Sequence, residues 1–131
     1  MKSAVTISLV EEARGGPFMF WHDLEEACRV AAKFGFDGIE VFPADAASFP
    51  AAELKRLLVQ YDLELAAVGT GAGWVRKKLH LAAATADERR QALEFIKGII
   101  EVAGDFGAPA IVGSMQGKPT PGVSREDQRK W

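Results

Sequence analysis

The 131 residues are 48% hydrophobic and 26% charged, a balance that suits one soluble domain with a real core and excludes a disordered chain. Sixteen basic against 18 acidic residues give a formal net charge of -2, which leaves no basic footprint for a nucleic-acid backbone. No apolar run approaches the roughly 20 residues of a membrane span, Glu11 and Glu12 come too early for a signal peptide, and the single cysteine excludes intrachain disulfides and a cysteine-rich zinc site. The expected location is the cytoplasm.

A first strand is expected at residues 4–10, AVTISLV, which are short and β-branched. A helix follows in HDLEEACRVAAKFG, where Leu24, Ala27, Cys28 and Ala31 share helical spacing and Gly35 offers a left-handed stop. Cys28 there reads as a buried thiol. GIEVF at 38–42 is the second strand. The second helix covers PAAELKRLLVQY, with Pro50 in its first turn and Leu54, Leu57, Leu58 and Tyr61 as its buried stripe. LELAAVG is the third strand. Thr85 and Glu88 form a capping box, and Ala92, Leu93, Ile96, Ile100 and Ala103 then repeat along a third helix that Gly107 ends. PAIVGS, 109–114, is the fourth strand, and Ser124 with Asp127 caps the start of a fourth helix.

Strands alternating with amphipathic helices predict right-handed crossovers and a parallel sheet. KFGFDGIEVF and DFGAPAIVGS repeat the same helix-to-strand junction two units apart. A unit of roughly 35 residues is that of a (β/α)8 barrel of ~250 residues, so the fold class is α/β, a parallel half-barrel of about four βα units. Residues 1–131 are expected to form a single domain cut as its fourth helix begins. A small doubly wound nucleotide-binding domain is the other topology; it requires helices on both sheet faces.

In such a barrel, chemistry sits on the loops after the strands. The first, VEEARGGPFMFWH, carries Phe18, Phe20 and Trp21, which suit either a wall against a ligand or a cap over the core; His22 reads as a helix-entry polar group. Glu40 alternates with Ile39 and Val41, so if those two pack under the helices the carboxylate points to the barrel interior. There it needs a hydrogen bond, an ion pair or a metal, which makes it the leading candidate site residue, with a structural ion pair as the alternative. GTGAGW at 69–74 invites comparison with a dinucleotide fingerprint, but the next expected helix opens only at Thr85, which argues against it. Arg76, Lys77, Lys78 and His80 are possible anion contacts, or else a solvated charge run and a packed histidine. GSMQGKPT fails the phosphate-loop pattern in spacing and at Pro119, yet Gly113, Ser114, Gln116 and Lys118 make a polar loop suited to hydroxyls or a phosphate.

FGFDGIEVF, the helix TADERRQALEFIKGIIEVAGDFGAPAIV and the following GSMQGK, in that order, resemble the N-terminal half of the sugar phosphate isomerase/epimerase family, the xylose isomerase-like TIM barrels. The resemblance implies a sugar or sugar phosphate substrate and a divalent metal, manganese, magnesium or a similar ion, held by carboxylates and a histidine. Two glutamates then move a proton through an enediolate. In that family those residues come from strands five to eight. What carries over here is the substrate-binding wall: Glu40, Gly69, Gly113, Ser114, Gln116 and Lys118. The isolated chain is accordingly expected to hold no metal and to be inactive. A non-catalytic half-barrel, closing as a homodimer through the open sheet face or edges or with a partner half, is the second reading. Neither nucleic acid nor membrane is expected as a partner.

Overall fold

The computed structural model describes residues 1–118 and 121–130. Its elements are β1 (Ala4–Ser8), β2 (Phe20–Trp21), α1 (Leu24–Lys33), β3 (Gly38–Phe42), α2 (Ala51–Tyr61), β4 (Glu64–Gly69), α3 (Ala72–Lys77), α4 (Ala86–Gly104), β5 (Ala110–Ile111) and α5 (Arg125–Gln128). Single 3-10 turns lie at Glu11–Ala13 and Gly113–Gln116.

The helix starts follow from local chemistry. Asp23 accepts a hydrogen bond from the Glu26 N–H at 2.8 Å, opening α1. Thr85 and Glu88 make the reciprocal capping box of α4. Ser124 Oγ accepts from the Asp127 N–H at 3.0 Å, opening α5. Gly35, at φ +76°, takes the left-handed position after α1 that a side chain would strain.

All five strands pair in parallel, in the order β2-β1-β3-β4-β5. Side chains alternate across this sheet, so Ile7, Ile39, Val41, Leu65 and Val68 point one way and meet Leu24 and Cys28 of α1, Leu54 and Leu57 of α2, and Ile99 and Ala103 of α4 in a single core. Each fully buried Ile or Leu contributes about 1.5–3 kcal/mol. These three helices therefore cover one face of the sheet, which removes the doubly wound nucleotide-binding alternative. On the other face Thr6, Glu40 and Ala67 stand side by side. Ala66 is the extra residue of a bulge, because Ile39 pairs with Leu65 while Glu40 pairs with Ala67. The architecture is a parallel α/β half-barrel whose inner face is open.

The structure departs from the sequence reading in four places. Phe20–Trp21 adds a short edge strand beside β1, although residues 9–19 supply no crossover helix. The fourth strand shrinks to two residues, since Val112 turns into the αR region and Gly113 follows at φ +53°. A helix, α3, opens within the glycine run. On α4 the buried stripe is Ala92, Ile96, Ile99 and Ala103, while Leu93 and Ile100 remain 44% and 51% exposed. Both stripes fit helical spacing, and the sheet chose the first. Among the described residues no helix is long and apolar enough to cross a membrane.

Candidate functional site

Glu40 stands in the middle of β3 on the inner face, between Thr6 and Ala67. Ile39 and Val41 go to the helical core, so alternation sends the carboxylate inward as expected. Among the described residues it has no hydrogen-bond or ion-pair partner, and burial alone pushes its carboxyl above the ordinary carboxylate range. The structural ion pair is thus not formed. A half-buried, unpartnered carboxylate destabilises the fold and leaves an acceptor free for a ligand.

Two residues on, Phe42 governs the glycines of the third loop. A Cβ built on Gly69 would lie 2.9 Å from Phe42 Cδ2, and one on Gly71 2.7 Å from Phe42 Cε2. On Gly73 it would lie 2.6 Å from Met115 Sδ. These close approaches are made by side chains of the protein itself: the space over Gly69, which the sequence reading gave to substrate, holds the Phe42 ring. Phe18 tilts onto the same ring at 4.9 Å and meets Trp21 edge-on at 5.5 Å, so Phe18 caps the core. α3 begins right after Gly71, contrary to the expectation that no helix opens before Thr85. It is Phe42 and Met115, filling the glycine notches, that speak against a phosphate cradle there.

Beyond α3 the chain doubles back and builds a cleft of about 530 Å³ lined by Trp74, Lys78, His80, Ser114, Gln116 and Lys118, with Glu88 on its wall. Two backbone ties hold its sides together. Leu81 N–H donates to the Met115 carbonyl at 2.8 Å, and Thr70 Oγ1 donates to the Val112 carbonyl at 2.7 Å. Met115, fully buried against Ala92 and Ile96, anchors the 3-10 turn and leaves its polar neighbours outside. Gly117, at φ +82°, lets the chain pass so close to His80 that a Cβ would sit 2.3 Å from Nδ1. That nitrogen is buried with no partner.

Three of the expected residues, Ser114, Gln116 and Lys118, therefore converge. Gly113 precedes them without lining the cleft, and Glu40 and Gly69 lie outside it. Of the basic run, Arg76 is engaged by Glu12 at 3.1 Å and Asp45 at 3.7 Å, and Lys77 lies 5.9 Å from the centre of the Phe95 ring. Lys78 and His80 do face the cleft. His22 meets Glu11 at 2.9 Å, with its backbone at φ +61°. Sequence reasoning missed Trp74; its only signal was an aromatic closing a glycine run. The donors present do not fit a divalent ion, because among the described residues no three His, Cys, Asp or Glu side chains gather in one place.

No curated protein matches the sequence. Among solved structures, a 3-keto-D-glucoside 4-epimerase from E. coli in its apo form matches at 17% identity and a TM-score of 0.68, over 99% of this chain and 47% of that one. A D-allulose 3-epimerase from Methylomonas sp., in complex with D-allulose, matches at 20% identity and a TM-score of 0.62, over 99% and 44%. The chain thus spans less than half the length of either, and at these identities the likeness is one of fold. A family model described as xylose isomerase-like TIM barrel matches residues 28–131. With five parallel strands under one layer of helices and that match over most of its length, the chain belongs to the xylose isomerase-like TIM barrel family.

Proposed function

We propose that this chain supplies the substrate-binding wall of a sugar isomerase or epimerase, and that alone it does not turn over substrate. The observation that carries the reading is the convergence of Ser114, Gln116, His80 and Trp74 in a cleft just past the end of β5. Hydroxyl and amide groups beside an aromatic ring suit a polyhydroxylated ligand, and the C-terminal ends of parallel strands are where this architecture does its chemistry. Moving a proton alpha to a carbonyl needs a base within reach, an acid to return the proton and an electrophile for the developing oxyanion. Glu40, on the inner face, is a single acceptor, so the remaining groups belong in this reading to a complementary half. The test is saturation-transfer NMR with D-fructose, run beside proton exchange at its carbons in D2O. Binding that Gln116→Ala weakens, with no exchange, supports the reading; exchange catalysed by the chain alone overturns it.

A second reading is favoured by a separate observation. Leu93 and Ile100 on α4 and Ile111 on the edge strand β5, the last 42% exposed, leave apolar surface uncovered. A further βα layer would cover it, and a second copy of this chain could provide one. Native mass measurement decides: a defined dimer supports self-assembly, and a monomer removes it.

A further inference from the structure

The loop after β1 reaches across the C-terminal ends of β3 and β4 on few attachments. From Glu11 to Gly16 its backbone hydrogen bonds are local: Arg14 N–H donates to the Glu11 carbonyl and Gly16 N–H to the Ala13 carbonyl, both at 3.0 Å. Residues 11–19 are mostly exposed, Met19 to 74%. Gly15, at φ +88°, gives the stretch a point at which to bend. A segment with few buried contacts and a solvated backbone opens at a small fraction of the free energy of global unfolding.

Two attachments bring it down onto the sheet. One is apolar: Val10 is buried with Phe42 and Ala72, and Ala13, Phe18 and Val75 pack round them. The other is ionic. Arg76, on α3, donates from Nε to Glu12 Oε1 at 3.1 Å, and its Nη1 lies 3.7 Å from Asp45 Oδ2. Glu12 follows β1, Asp45 follows β3 and Arg76 follows β4, so one guanidinium ties three neighbouring loops. Asp45 is fixed in turn, accepting from the Ser48 N–H at 2.9 Å and from Ser48 Oγ at 2.7 Å. The side chains of Arg76 and Asp45 are 33% and 35% exposed against 53% for Glu12, so Glu12 is the member that can leave.

We propose that residues 9–19 are a lid over the ends of β3 and β4, and that Arg76 is its latch. Shut, the lid lays Phe18 on the Phe42 ring at 4.9 Å and so holds that ring in the notches of Gly69 and Gly71. Open, it breaks the Arg76–Glu12 contact, keeps the Arg76–Asp45 one, and frees the ring to leave the glycines. That end of the sheet is where parallel barrels take their ligands, so the latch governs access to it. The lid does not depend on the sugar-wall reading.

The test is limited trypsin digestion of the full native chain, read as the rate of cleavage after Arg14, which lies within the lid. Cleavage needs the segment to open, and its rate tracks the open population when opening and closing are fast. Arg76→Ala and Glu12→Gln each speed the cut about two- to fivefold, the worth of a partly exposed ion pair. The double variant is no faster than Arg76→Ala, because both changes remove one contact. Salt at about 0.5 M speeds the cut in wild type, relative to an unstructured peptide of the same sequence, and leaves Arg76→Ala unmoved. Glu12 is exposed, so Glu12→Gln keeps the fold and its urea midpoint stays at that of wild type. An unchanged rate in both single variants, or two effects that multiply in full in the double variant, overturns the latch. An equal rise at every tryptic site, with a lowered urea midpoint, overturns the lid, since the chain then opens as a whole.

Discussion

Gly71→Ala separates a glycine kept for ligand approach from one kept for packing. The backbone at Gly71 is at φ -57° and ψ -17°, a conformation that alanine adopts without strain. On backbone grounds the change stabilises by about 0.4–1 kcal/mol, by narrowing the unfolded ensemble. The obstacle is the Phe42 ring, at 2.7 and 3.0 Å from the new Cβ, with Ser114 Oγ at 3.3 Å behind it. Overpacking of this kind costs about 1–3 kcal/mol, so the net loss in the wild-type background is at most about 2.6 kcal/mol. Phe42→Ala by itself costs about 3–5 kcal/mol, because it empties the space between Phe18, Val10 and Ala72. In that background the Gly71 substitution meets no ring and becomes neutral or stabilising. Urea denaturation of the four proteins of the cycle measures the coupling, expected at about 1–3 kcal/mol. If the two changes add within about 0.5 kcal/mol, Phe42 is not what holds position 71 to glycine, and the packing explanation of the loop fails.

Three further outcomes are expected. Glu40→Gln raises stability at neutral pH by up to about 1 kcal/mol, a figure reduced for partial exposure. The sign follows from the raised carboxyl. Below its unfolded value near 4.5 the group is protonated in both states and costs nothing; the penalty grows as pH rises through the higher folded value and then levels off. Urea midpoints of wild type and variant should therefore converge in acid and separate at neutral pH, and a constant offset would contradict the assignment. Cys28 is fully buried, and burial pushes its thiol up to about 11, so a disulfide reagent at pH 8 labels it only as the protein unfolds; prompt labelling of native protein would show the α1 packing to be wrong. Thr85→Ala removes the cap of α4 and should cost about 1 kcal/mol, read as a shift in urea midpoint at constant m-value.

Local rules made the element order legible. Thr85 and Ser124 each act on a backbone N–H three residues away, and Gly35 answers a steric demand at one position; such interactions are complete within a few residues, so the sequence displays them. The period-2 alternation around Glu40 was equally local, and it fixed the direction of the carboxylate once Ile39 and Val41 met the helices.

What no local rule contains is which of two acceptable partners a surface meets. Leu93 and Ile100 fit the helical period as well as Ile99 does, and only the position of β4 and β5 decided the stripe. Gly69 and Gly71 read as room for a ligand because a missing Cβ says nothing about what fills the gap, and Phe42 reaches them from a neighbouring strand. His80 looked like a packed histidine between leucines until Gly117, 37 positions later, sealed one of its nitrogens. The parallel βα order and the inward carboxylate depend on periodicity along the chain, so both can be read without coordinates. The cleft and its donors depend on contacts between loops far apart in the chain, which meet only once the strands have paired.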